Sequence, residues 1–409
     1  MTRDTLRKTV NLPDGFATRL HAALGLTGTE KPRVSYVSLA NDVARVQRFW
    51  VSGVQDPKSQ KATYAGMFFD LVEALGAEGQ LFSVKETDPV AGLSVRIEKL
   101  DSDGAVGGEV IHQIVDRIRA FCPHLVVVSP SISPDIIPMI ASEFPTVYYG
   151  HSLLWPAHFD RPKATLKERL VRWVRLRRNA KKLKGVAGLI AASEACMRQY
   201  RSIIGHPVHE VSVTRQILSP VHVTTKSQMR HLLYVGGIED WGGVAALVAS
   251  FKTLRAQCPE LTLTLIGDGP RRAEFEAMAN SYNGLSFASG FDAEVQQQQV
   301  AKADLLVVPE PADALIGTPT FLPEGLINGL PALVSSTTPL REAEQDLCVV
   351  YQAGDQRDLE ETLRRLYLDD DAYGTISDRL PLDDASFRDA SLSWGSGIAQ
   401  IFGKIAGIQ

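Results

Sequence analysis

Short, continuously apolar runs alternating with helical stretches constrain this chain more than any other feature. The runs 125–129, 186–193, 261–266 and 305–308 are rich in Val, Ile and Leu, so each strand must be covered on both faces. Further strands are expected at 32–40, 81–84, 146–149, 231–235, 285–288 and 331–335. Helical segments lie between them, at 63–75, 110–121, after Pro134, at 194–200, after Val244 and at 355–367. Strands spaced by helices of roughly 10–15 residues build βαβ units and a parallel sheet. Ligands of such sheets sit beyond the carboxyl ends of the strands. His151 and the loop after Ala40 fall at two such ends.

Length and charge narrow the class. A chain of 409 residues is two to three domains, and a polar stretch around 213–227 reads as the linker. The formal net charge is −4, which gives no global attraction to nucleic acid. Cys122, Cys196, Cys258 and Cys348 are far apart, with no C-x-x-C spacing for zinc, and are expected to be buried thiols in a reducing compartment. Residues 1–31 read as an amphipathic, partly flexible leader. Charges without an apolar h-region do not make a signal peptide. No apolar run reaches the ~18 residues of a membrane span. The expectation is a soluble, cytoplasmic protein.

Two segments stand out against this background. The polar stretch 41–61 carries Arg45, Arg48, Lys58 and Lys61 among Phe49, Trp50 and Val51, and a loop longer than about 15 residues is often functional. The segment 161–184 holds eleven basic residues against Glu168 alone. Within it Leu166, Leu170, Trp173 and Val174 fall at i, i+4, i+7 and i+8, one face of a helix. A basic amphipathic helix with an interfacial Trp suits an anionic membrane surface, with Arg169, Arg172, Trp173, Arg177 and Lys181 as contacts. The same pattern also suits a helix packed on its own domain by the apolar stripe.

The stretch 305–336 carries the most chemistry. It reads strand, proline, a loop with Gly317, Thr318 and Thr320, then Glu324, Gly329, Leu330 and Pro331 before the next strand. Upstream, the strand at 231–235 runs into Gly236 and Gly237, and the strand at 261–266 ends in Gly267-Asp268-Gly269-Pro270. In this order the motifs resemble the retaining glycosyltransferases of family 4, which have the GT-B fold. The resemblance covers most of 231–370, and the first half only in strand order. Three positions depart from it. Ile316 stands where the first of two glutamates is expected, and Gly237 and Gly242 stand where an Arg and a Lys meet the donor diphosphate.

The resemblance implies an α/β, GT-B protein of two Rossmann-like parallel-sheet domains facing each other across a cleft. An acceptor domain would span 1–215 and a nucleotide-sugar donor domain 216–384, with a helix at about 385–409 returning to the first. It implies a retaining, metal-independent hexosyltransferase that uses a nucleotide-sugar as substrate and needs no cofactor. Glu324 would hold the donor ribose hydroxyls, and His151 would contact the transferred sugar. Gly236, Gly237, Gly317, Thr318 and Thr320 would hold phosphate through backbone N–H groups. Gly269 and Arg271 would flank it, with Arg271, Arg272 or Arg215 supplying missing charge, and Gly290 and Phe291 would cover the base. Arg45, Arg48, Lys58 and Lys61 would line the acceptor side. The acceptor would be lipid-linked or a surface polysaccharide, worked on by a protein peripheral on the inner face of the cell membrane. Two alternatives stand beside this: a transferase with an unusual donor, and a catalytically silent relative acting as a membrane-bound partner.

Overall fold

The computed structural model describes residues 10–38, 64–83, 94–100, 107–129, 132, 134–160, 162, 164–204, 209–213, 227–239, 243–289, 293–315, 319, 321–340, 342–380 and 389–408. The chain divides into two units. The first comprises Met1–Leu154, Leu166–Ile217 and Asp389–Gln409, and the second Trp155–Thr165 and Leu218–Arg388.

The first unit holds a seven-stranded sheet of order β3-β2-β1-β4-β5-β6-β7. Its strands are β1 Arg33–Val37, β2 Glu78–Ser83, β3 Val95–Lys99, β4 Leu125–Val128, β5 Thr146–Gly150, β6 Gly188–Ala191 and β7 His209–Val213. Every neighbouring pair is parallel. The connecting helices are α1 Phe16–Ala23, α2 Tyr64–Ala74, α3 Gly108–Phe121, α4 Ile137–Ala141, α5 Leu166–Lys182 and α6 Glu194–Ile203. On one face α1, α2 and the helix Trp394–Ile405 share a core with Tyr36, Val127 and Val147. Trp394 anchors that contact, with its ring edge-on to Tyr36 at 5.2 Å and to Tyr149 at 6.4 Å.

The second unit repeats the plan with six parallel strands, order β10-β9-β8-β11-β12-β13. The strands are β8 His231–Gly237, β9 Thr262–Asp268, β10 Leu285–Ser289, β11 Leu305–Val308, β12 Ala332–Ser335 and β13 Cys348–Tyr351. Its helices are α7 Val244–Arg255, α8 Arg272–Ser281, α9 Ala293–Lys302, α10 Leu322–Ile327, α11 Glu342–Gln345, α12 Gln356–Leu368 and α13 Asp370–Ser377. Successive strand residues point to opposite faces. Accordingly Leu232 and Tyr234 enter the core under α7 and α12, while Leu233 enters the core that contains Phe321 and Leu326. Covering both faces is what the continuous apolar runs require.

Three expectations are corrected. From residue 10 onward the segment 1–31 is no loose leader: Phe16 and Leu20 of α1 are buried in the first core. The edge strands β3 and β7, VRIEK and HEVSV, lack the apolar signal, and the edge strand β13, CVVY, is too short to announce itself. Of the four free cysteines only Cys196 and Cys258 are buried. Cys122 is exposed and Cys348 intermediate.

Candidate functional site

In each sheet the strand order reverses once. In the second unit this happens between β8 and β11, where chain connections leave in opposite directions and open a crevice beyond the strands' carboxyl ends. The residues at those ends are Gly236 and Gly237 of β8, Gly267 and Asp268 of β9, and Pro309 and Glu310 after β11.

The loops there approach too closely for side chains. A Cβ on Gly243, just before α7, would lie 1.4 Å from the Pro309 carbonyl oxygen. One on Gly267 would lie 2.1 Å from the Gly236 oxygen, and one on Gly269 would lie 2.4 Å from the Ile238 oxygen. Backbone bonds join the same loops, with Ile238 N–H donating to Asp268 (2.9 Å) and Arg271 N–H donating to Ile238 (3.2 Å). The Tyr234 hydroxyl closes the end of β8 by donating to the Gly237 carbonyl at 2.7 Å. The structure thus brings Gly236, Gly237, Gly269 and Arg271 into one loop cluster.

The cations of this cluster are already engaged. Arg271 makes a two-pronged contact with Glu274, at 2.8 and 2.7 Å, and its guanidinium stacks over the Phe275 ring at 5.1 Å. Arg271 in turn holds the Glu274 carboxyl below its ordinary range. Arg272 pairs with Glu276 at 2.8 Å and lies 3.8 Å from Asp268. A phosphate bound here would have to compete with these carboxylates for the guanidinium forks.

Glu324 lies in the first turn of α10 and is half-buried. The sequence around it folds for local reasons. Gly325 lets α10 sit on β11, since a Cβ there would come within 3.0 Å of Leu306. Asn328 caps the helix through bonds to the Glu324 carbonyl, and Gly329 takes φ 82° to turn the chain into Pro331 and β12. Gly290, Phe291, Ile316, Gly317, Thr318, Thr320, Gly242, Arg215, Arg45, Arg48, Lys58 and Lys61 lie outside the described residues.

Glu310 was not among the site residues expected from the motifs. It sits between Pro309 and Pro311 directly after β11, and desolvation pushes its carboxyl up to about 7. Tyr234 and Tyr351 are close enough to feel its charge, and burial raises both phenols in turn. The available signal was an acidic residue just past the carboxyl end of a buried parallel strand, a position open to the crevice.

In the first unit His151 follows β5 and is half-buried, its ring edge-on to Tyr149 at 5.8 Å. Burial lowers its imidazole below the ordinary histidine value. The Cys196 thiol reaches the His151 carbonyl at 3.9 Å. Cys196 is fixed in turn by the Ser193 cap of α6, whose hydroxyl accepts from the Cys196 N–H at 3.2 Å.

Helix α5 has no buried residue. Its apolar stripe points outward, with Leu166 85% exposed, Leu170 61%, Trp173 51% and Val174 50%. The domain is met instead by the opposite face, where the Arg175 guanidinium donates to the Leu154 carbonyl at 3.4 Å. Arg172 and Lys182 are likewise half-buried on that face, whereas Arg169, Arg177 and Lys181 are exposed. The Arg177 guanidinium lies 4.5 Å from the Trp173 ring centre. Packing by the apolar stripe, the alternative left open by the sequence, is therefore excluded. No helix among the described residues is long and apolar enough to cross a membrane.

Residues 229–369 match the family model described as glycosyl transferases group 1. The structure is similar to a sucrose-phosphate synthase from Thermosynechococcus elongatus, with TM-score 0.65 and 17% identity over 92% of this chain and 98% of that one. It is also similar to WaaG, a glycosyltransferase involved in lipopolysaccharide biosynthesis, with TM-score 0.60 and 17% identity over 90% and 99% of the chains. A third likeness is to HepE from Anabaena, solved in complex with UDP-glucose, with TM-score 0.59 and 14% identity over 92% and 99%. The chain has the GT-B fold. No curated protein sequence matches it.

The desolvated Glu310 makes stability depend on pH. The folded state keeps its proton up to about pH 7, whereas the unfolded chain releases it near pH 4.5. Between these values the native state binds more protons, so stability falls as pH rises, by up to about 3 kcal/mol from this group. Glu310→Gln should remove that loss. Urea unfolding should show the variant about 1–3 kcal/mol more stable than wild type at pH 8 and nearly equal at pH 5. Equal stability at both pH values would mean that Glu310 titrates normally.

Proposed function

We propose that this protein is a glycosyltransferase that moves a sugar from a nucleotide-sugar to a lipid-linked or surface-polysaccharide acceptor at the cytoplasmic face of the membrane. The observation that carries the reading is the match of residues 229–369 to the group 1 glycosyl transferases, over the unit whose strand order reverses at the Gly236–Gly237 and Pro309–Glu310 ends. The family 4 resemblance extends it to a retaining, metal-independent transfer. Glu324 holds the donor ribose, His151 meets the transferred sugar, and the loops with Gly317, Thr318 and Thr320 receive the diphosphate. Transfer needs electrostatic stabilisation of the departing diphosphate, supplied by preorganised N–H dipoles. The loop closure at Gly243, Gly267 and Gly269 supports such preorganisation, because backbone packed on backbone holds these loops against one another.

A second reading has its own support. Ile316, Gly237 and the engagement of Arg271 by Glu274 all weaken an ordinary donor site, as a transferase with an unusual donor or a catalytically silent partner would. Thermal unfolding against UDP, GDP, ADP, TDP and CMP with their sugar conjugates separates the classes. A ligand at about 100 times its Kd stabilises by about 2.7 kcal/mol, a Tm rise of several degrees. The expected result is a rise with one nucleotide family that Glu324→Ala abolishes. No rise across the panel would leave a transferase with an unusual donor or the silent partner.

The membrane part of the proposal rests on α5, whose outward apolar stripe lies among cations. Each basic residue near an anionic surface contributes about 1 kcal/mol. Sedimentation with phosphatidylglycerol vesicles should show binding that weakens at high salt. Replacing Leu170 and Trp173 together by Ser should weaken it at least about tenfold, since each side chain contributes roughly 1.5–3 kcal/mol on burial. Vesicle binding that ignores the double change would remove α5 as the docking face.

A further inference from the structure

A pocket of about 650 Å³ opens where the end of α5 meets α4. Its floor is apolar, formed by Pro138 and Ala141 of α4 together with the turn at Gly185, which has φ 90°. Its rim is cationic, formed by Arg178, Lys181, Lys182 and Lys184. One carboxylate, Asp135, faces them and pairs with Lys182 at 3.0 Å. Four cations against one carboxylate leave three positive charges around a single concavity.

The helix itself does not account for so much charge. The C-terminal end of a helix carries the equivalent of about −0.5 of a charge and is satisfied by one nearby cation. Arg178, Lys181 and Lys184 are exposed, whereas Lys182 is 17% exposed and lies deeper, beside Asp135. A multiply charged oxyanion is the partner that three converging cations recognise. The apolar floor asks for more than an inorganic ion. Lys181 shares a helix face with Val174 and Trp173, seven and eight residues earlier, so the pocket lies at the end of the outward apolar stripe.

We infer that this pocket holds the phosphate headgroup of a membrane lipid, with the hydrocarbon lying along the Leu170–Trp173–Val174 stripe. The inference deepens the reading of α5 as a membrane-facing helix. It adds a preference that a diffuse basic surface lacks, for a phosphomonoester or diphosphate headgroup over a phosphodiester of equal surface charge.

The test uses the full chain and phosphatidylcholine vesicles doped with phosphatidic acid or with phosphatidylglycerol, matched in surface potential. The expected result is binding about tenfold tighter to the phosphatidic acid vesicles. Arg178→Gln combined with Lys184→Gln, with Tm unchanged, should lose that preference and keep phosphatidylglycerol binding. Equal binding to the two vesicles, or a preference surviving in the double variant, overturns the pocket and leaves the docking helix standing. Calorimetry with monomeric short-chain phosphatidic acid and with inorganic phosphate separates the two sources of a phosphate. Tighter binding of the lipid supports the assignment, and equal binding reassigns the pocket to free phosphate. If no anionic vesicle binds, the membrane reading of α5 fails, and the calorimetric arm alone decides the pocket.

Discussion

The second unit depends on how closely its loops approach one another beyond β8, β9 and β11. The Pro309 carbonyl occupies the space a side chain at 243 would need, and the Gly236 carbonyl does the same at 267. Backbone against backbone is the tightest contact a chain can make, and glycine is the residue that permits it. The consequence is a crevice walled by peptide groups at the point where the strand order reverses. Fold and site meet there, where the loops close on one another.

Electrostatics at that crevice differ from what its shape leads one to expect. A diphosphate site ordinarily spends formal positive charge, yet Gly237 supplies none, and the Arg271 and Arg272 guanidiniums are paired with Glu274 and Glu276. Glu310 balances this from the other side. With its carboxyl pushed up to about 7, it is largely protonated at slightly acidic pH and repels an anion less than an exposed glutamate would. Few charges of either sign are free to act, so dipoles carry more of the work.

Most of the sheet was legible because buried parallel strands announce themselves as apolar-rich runs. β4, β11 and β12 are nearly unbroken, and β9 interleaves Leu with Thr. β3 and β13 were not: the edge strand β3 carries Arg96, Glu98 and Lys99 among its apolar residues, and β13 is an apolar run of only four residues, CVVY. Helix α1 hid in a segment that read as an amphipathic, partly flexible leader, since only Phe16 and Leu20 of the helix are buried. The glycines and Glu324 could be named from motif order, but the fork between Arg271 and Glu274 and the desolvation of Glu310 depend on neighbours that only folding supplies. Periodicity found the stripe on α5. It could not say which way the stripe faced, because Arg175 and Lys182 anchor the helix through polar contacts, to Leu154 and Asp135, that leave no hydrophobic pattern.

The central claim is that a nucleotide-sugar binds where β8 and β11 diverge. Hydrogen exchange of the backbone, followed by mass spectrometry with and without the nucleotide-sugar that stabilises the protein, tests it directly. The account predicts added protection in peptides covering 236–243, 267–271 and 309–325, with none in peptides from α12. Protection confined to other segments of the second unit, or absent from all three peptides at saturating ligand, would contradict it.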